Sequence, residues 1–183
     1  ISLNYDLCPD VTLDDIVDEM RNAIVYIYSN AADLGVDENR LFLSGHSAGG
    51  HLTGMMLRED WTVHGLPADV IKGALPLSPV FEPEAIMHTS INDDVRLDID
   101  MAERNNVLAG PPAMEGPIIA AAGALEPIGF RQQSVSYANM CRANGLGTEY
   151  YEIESCHHFT ALDALRNRDH ELYQKLLAMI REA

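Results

Sequence analysis

The sequence has 183 residues, 47 % hydrophobic and 22 % charged, with 28 Asp and Glu against 12 Lys and Arg for a net charge of −16. That is enough apolar material for one core of domain size and excludes a disordered tail. So acidic a chain lacks the basic face that nucleic acid or an anionic membrane surface requires, and no run of about 18 apolar residues is present to span a bilayer.

In chain order, residues 1–5 form a short apolar-rich run that reads as a strand, closed by Leu7-Cys8-Pro9, with no basic segment and apolar stretch of a signal peptide before it. Thr12-Leu13-Asp14-Asp15 has the form of a capping box, a hydroxyl for free helix N–H groups and an acid three residues on. Behind it Ile16, Met20, Ala23, Ile24, Ile27, Ala31 and Leu34 recur at steps of three and four, which predicts one long amphipathic helix ending at Gly35. Residues 40–44 read as a buried strand and 48–57 as a helix. Residues 70–75 read as a second strand, and 81–112 as an irregular, acidic insertion or cap. Residues 117–123 read as a fully buried strand, 130–144 as a helix, 148–153 as a strand, and the end from Leu162 as mostly helical, with His170 inside that helix. Strands alternating with helices predict an α/β class with a mostly parallel sheet covered on both faces. No repeat or linker divides residues 1–183, so they are read as one domain. Cys8, Cys141 and Cys156 are scattered without C-x-x-C spacing, which fits a reducing compartment and predicts a cytoplasmic setting.

Gly45-His46-Ser47-Ala48-Gly49 is a G-x-S-x-G sequence between a predicted strand and a predicted helix. A serine on so tight a turn takes a strained backbone that small neighbours relieve. Its hydroxyl projects above the sheet, and the helix N-terminus offers N–H groups to an oxyanion. Ser47 is therefore the expected nucleophile and the Ala48 N–H an expected oxyanion donor. The order nucleophile, acid, base then directs the search downstream. His46 and His51 sit too close to Ser47 in sequence, and His64 and His88 precede any acid-bearing loop. His157 and His158 remain, on the loop after strand 148–153, and His158 is preferred as base. Glu126 is the acid expected to orient it, on the loop after strand 117–123. Asn92, Asp93, Asp94, Asp98 and Asp100 lack the glycine and final Glu of a calcium loop and read as a solvated acidic segment; no metal or cofactor is expected.

These residues carry a resemblance. Asn4-Tyr5-Asp6-Leu7-Cys8-Pro9, the run from Leu34 to Arg40, and Ser44-Gly45-His46-Ser47-Ala48-Gly49-Gly50-His51-Leu52 resemble the hormone-sensitive-lipase-like branch of the α/β-hydrolases. The GHSAGGHL form is especially similar to kynurenine formamidase (arylformamidase) and its esterase relatives. Leu77-Ser78-Pro79-Val80-Phe81, Glu126 ahead of Phe130, and His157-His158-Phe159 extend the likeness over nearly the whole chain. The resemblance implies an α/β-hydrolase fold whose first strands are missing from this chain. It also implies Ser47, Glu126 and His158 as a catalytic triad acting on a small-molecule acyl substrate, either a carboxylic ester or an aryl formamide. His46, Phe81 and Phe159 are the expected pocket residues, and a homodimer is the expected form if the protein associates. Two departures stand out: the formamidases usually carry Asp where this chain has Glu126, and the H-G-G motif that supplies oxyanion donors is absent from this sequence. The alternative expectation is a non-catalytic α/β-hydrolase-like module, without a complete oxyanion hole, that binds or assembles.

Overall fold

The computed structural model describes residues 1–182. Four strands, β1 (Leu41–His46), β2 (Ile71–Leu77), β3 (Ile118–Gly123) and β4 (Thr148–Ile153), form a parallel sheet in the order β1-β2-β3-β4. Parallel neighbours need long crossovers. These are α3 (Ala48–Leu57) between β1 and β2, the 81–112 region between β2 and β3, and α6 (Ile128–Ala143) between β3 and β4. Helix α1 (Leu13–Ser29) precedes the sheet and α8 (Glu171–Glu182) follows it.

Both faces of the sheet are covered. Along β3, Ile118 and Ala120 join a core with Met20 and Ile24 of α1 and Leu52 and Met56 of α3. Ile119 and Ala121 point the other way, into a second core with Leu172 and Met179 of α8. This is why β3 reads as an unbroken apolar run rather than an alternating one. β1 differs: it lies at the edge of the described sheet and its residues are mostly half-buried, whereas those of β3 are all buried. A cavity of about 530 Å³ opens beside it, walled by Ile1, Leu3 and Tyr5, by Met20 and Ile24, and by Leu52 and Met56.

Four sequence expectations are corrected. Residues 1–5 are not a strand; Leu3 and Tyr5 pack on the core, but no ladder partner lies beside them among the described residues. The long helix is two. Asn30 ends α1 by turning its backbone N–H and its Nδ2 onto Tyr26 O, and α2 (Ala31–Leu34) follows, closed by Gly35 at φ 67°. The 81–112 region is built largely of short helical segments, Pro83–His88, α4 (Asn92–Val95), α5 (Ile99–Arg104) and Val107–Ala109. It leaves and returns at one point, where the Val107 N–H donates to Phe81 O at 2.9 Å. At the C-terminal end, α7 (Asp163–Arg166) and α8 are separate, and His170 lies just before α8, its Nδ1 accepting from the Leu172 N–H at 3.1 Å.

Candidate active site

Ser47 stands between β1 and α3 at φ 58° and ψ −115°, a left-handed conformation that costs a non-glycine residue energy. The flanking glycines are not equivalent. A Cβ on Gly45 would lie 2.1 Å from Gly49 O, so the turn closes only over glycine. A Cβ on Gly50 would meet Leu77 O and Pro79 at 3.0 Å, whereas Gly49 has nothing within 4 Å of that position.

The sheet ladder continues past the strand ends and aligns the loops. The Ser47 N–H donates to Leu77 O at 3.0 Å, Ser78 N–H to Ala121 O at 2.7 Å, and Ala124 N–H to Ile153 O at 2.9 Å. Beyond β3 the chain turns tightly, with the Glu126 N–H on Gly123 O at 3.1 Å, which brings the Glu126 carboxylate back over the strand end. A side chain at Gly123 would collide with Cys156 O at 2.3 Å, so β3 and the loop after β4 approach as closely as a glycine allows.

Ser47, His158 and Glu126, separated widely in sequence, form one hydrogen-bonded chain. Ser47 Oγ–H donates to His158 Nε2 at 3.0 Å, and His158 Nδ1–H donates to Glu126 Oε2 at 2.9 Å. The carboxylate accepts only, which assigns the imidazole proton to Nδ1 and leaves Nε2 free to take one from Ser47. The Glu126 side chain is wholly buried while that of His158 is 19 % exposed, so the carboxylate is shielded and the imidazole faces the open side. Glu126 Oε1 is also held: Ser78 Oγ–H donates to it at 2.5 Å and the Gly123 N–H at 2.6 Å.

The imidazole of His158 is packed as well as bonded. Phe130 lies 4.7 Å from it between ring centres and His46 4.5 Å, and Phe159 meets it edge-on at 5.4 Å. His46 Nε2–H also donates to His158 O at 2.8 Å. Burial holds the His46 imidazole below its ordinary range, with the hydrogen bond to the His158 carbonyl acting against that shift. His157 is turned away, with its Nδ1 toward the Phe159 and Thr160 N–H groups and its own N–H on Thr160 Oγ1. Leu125 and Phe159, on the loops that bear Glu126 and His158, and Ile128, at the start of α6, are exposed apolar groups.

Of the residues singled out from sequence, Ser47, Ala48, Glu126, His158, His46 and Phe159 are gathered at the carboxyl ends of the strands. Phe81 is not. It is fully buried, stacked on Tyr137 at 4.4 Å, and occupies the recess left by Gly54 of α3, where a Cβ would lie 2.7 Å from its ring. It is a core residue, not a pocket wall. Sequence reasoning missed Phe130, Ser78 and the Gly123 N–H. Ser78 had a legible signal, a polar residue directly after an apolar strand, but its neighbour in space, Glu126, is far away in sequence.

A parallel sheet covered on both faces, with a strained serine on the turn from β1 into α3 and an acid and a histidine after β3 and β4, is the α/β-hydrolase fold. The esterase of Pyrobaculum calidifontis superposes with a TM-score of 0.75 over 98 % of this chain and 64 % of its own, at 17 % identity. In sequence, residues 1–62 match the BD-FAE family model. The kynurenine formamidase of Salmo salar is 27 % identical over 186 residues, covering 98 % of this chain and 62 % of its own length. The carboxylesterase NlhH of Mycobacterium tuberculosis is 25 % identical over 173 residues, covering 81 % and 52 %. The chain thus spans about three-fifths of the formamidase and about half of the carboxylesterase.

Proposed function

We propose that the protein is a serine hydrolase that cleaves a small carboxylic ester or an aryl formamide. The observation that carries this reading is the unbroken hydrogen-bonded chain Ser47–His158–Glu126, with Ser47 strained at the mouth of a helix. Ser47 Oγ attacks the acyl carbon as His158 Nε2 takes its proton, and Glu126 steadies the imidazolium that results. The Ala48 N–H, at the first turn of α3, donates to the oxyanion. His158 then returns the proton to the leaving group, and a water activated by the same histidine releases the acyl group. The sequence relatives support both substrate classes, and a binding module would have no use for so strained a serine in line with a base. The three cysteines are free, in keeping with a cytoplasmic setting. No helix among the described residues is long and apolar enough to cross a membrane.

Fluorophosphonate labelling of the full-length protein is the test. Labelling is expected for the wild type and lost in Ser47→Ala; a wild-type protein that does not label sinks the reading. Turnover of short p-nitrophenyl esters against N-formylkynurenine then separates ester from formamide. A His157→Ala variant is expected to remain active while His158→Ala does not.

A further inference from the structure

Three donors reach the Glu126 carboxylate, from Ser78, Gly123 and His158, and the first of them is a side chain that the proposed reaction does not otherwise use. Ser78 follows β2 at φ 46° and is fully buried. A glycine would adopt that backbone at less cost, yet the position carries a side chain whose hydroxyl ends 2.5 Å from Glu126 Oε1. With the Gly123 N–H on the same oxygen at 2.6 Å, Oε1 is pinned from two sides and Oε2 alone is left for His158. The neighbouring residue, Leu77, accepts the Ser47 N–H through its carbonyl. The end of β2 therefore touches both the nucleophile and the acid.

We propose that Ser78 is a positioning residue for the hydrolytic reaction: its hydroxyl fixes the rotation of the Glu126 carboxylate and, through Oε2, the tautomer and aim of His158. This rests on the reading of Ser47, His158 and Glu126 given above. Ser78 touches neither the base nor the nucleophile through its side chain, so its effect falls on the step in which the imidazolium forms, and substrate affinity is left alone. It also explains how the longer glutamate serves here. The side chain reaches far enough to engage Ser78 with one oxygen and His158 with the other.

The test is a set of variants of the full-length protein assayed on p-nitrophenyl acetate. Ser78→Ala and Ser78→Gly both remove the hydroxyl, and the glycine also relieves the positive φ. Both are expected to lower kcat by about tenfold with KM changed by no more than about twofold. Ser78→Gly is expected to melt no lower than the wild type, which separates lost positioning from lost stability. In a Glu126→Ala background there is no carboxylate to position, and Ser78→Ala is expected to cost nothing further. A Ser78→Gly protein with wild-type kcat, or a Ser78→Ala loss that is undiminished in the Glu126→Ala background, overturns the proposal while leaving the triad reading intact. A Glu126→Ala protein with full activity overturns both.

Discussion

Gly45 is the residue at which sequence and backbone are most tightly bound together. Its Cβ would fall 2.1 Å from the Gly49 carbonyl oxygen, which is main chain and cannot swing aside. Gly45→Ala is expected to cost about 3 kcal/mol or more in a urea titration and to abolish fluorophosphonate labelling. His46 is tied to the loop that carries His158. His46→Ala removes the donor to the His158 carbonyl, and kcat/KM is expected to fall roughly two- to tenfold, the worth of one neutral hydrogen bond. Phe81 makes the opposite case. As a fully buried ring packed into the recess at Gly54, its replacement by Ala is expected to lower stability by about 3–5 kcal/mol, with KM of the folded fraction unchanged. Residues 78 and 81 show where reading by sequence stops. An aromatic in an acidic, irregular segment has the look of a pocket wall, and nothing local says that a glycine one layer away has left space for it.

Elements were legible where their signals are local. The Thr12–Asp15 capping box is present in full: Thr12 Oγ1 accepts the Asp15 N–H at 3.2 Å, and Asp15 accepts the Thr12 N–H at 2.8 Å. Thr12→Ala is expected to cost about 1 kcal/mol, seen as a fall in Tm of about 2–4 °C for a chain of this size. β3 was readable because an apolar run of strand length, bounded by Pro117 and Gly123 and buried throughout, has few other uses. The segment 1–5 has the composition of a strand but no neighbour to bond among the described residues, and strand structure, unlike a helix, is a property of pairs. The break at Asn30 was hidden for the converse reason. The apolar spacing continues across it through Ala31 and Leu34, while the interruption is made by one side chain bonding back to Tyr26 O. The meeting of Ser47, Glu126 and His158 was legible because each lies just beyond the carboxyl end of a strand. The tie from Ser78 to Glu126 was not, since two strands must first pair to bring them together.

At the scale of the molecule, the buried histidines give stability a pH dependence. His51 is buried beneath α5, with its Nε2–H on Asn105 O at 2.8 Å, and desolvation holds its imidazole below the ordinary range. The unfolded chain therefore binds a proton that the folded chain refuses. Stability is complete above the unfolded pKa and is lost as pH falls through about 6.5, by at most about 1.4 kcal/mol per pH unit for each such group. Urea midpoints measured between about pH 7.5 and 5.5 are expected to fall, and to fall less in His51→Gln.

The ladder that runs on past the strand ends has a kinetic consequence. The Ser47 and Ser78 N–H groups are fastened to the sheet by main-chain bonds, whereas the main chain of the loop after β4 is tied to the β3 turn at Cys156 and not at His158 itself. His158 is retained by its ring hydrogen bonds to Ser47 and Glu126, by the His46 ring on its carbonyl and by contact with three rings, on a loop with Phe159 76 % exposed. Local opening of that loop breaks far less than global unfolding does. Hydrogen exchange at residues 157–161 is therefore expected to run faster than at β3. In mild denaturant fluorophosphonate labelling of Ser47 is expected to be lost while the fluorescence of Trp61, buried in the core, still reports a native sheet.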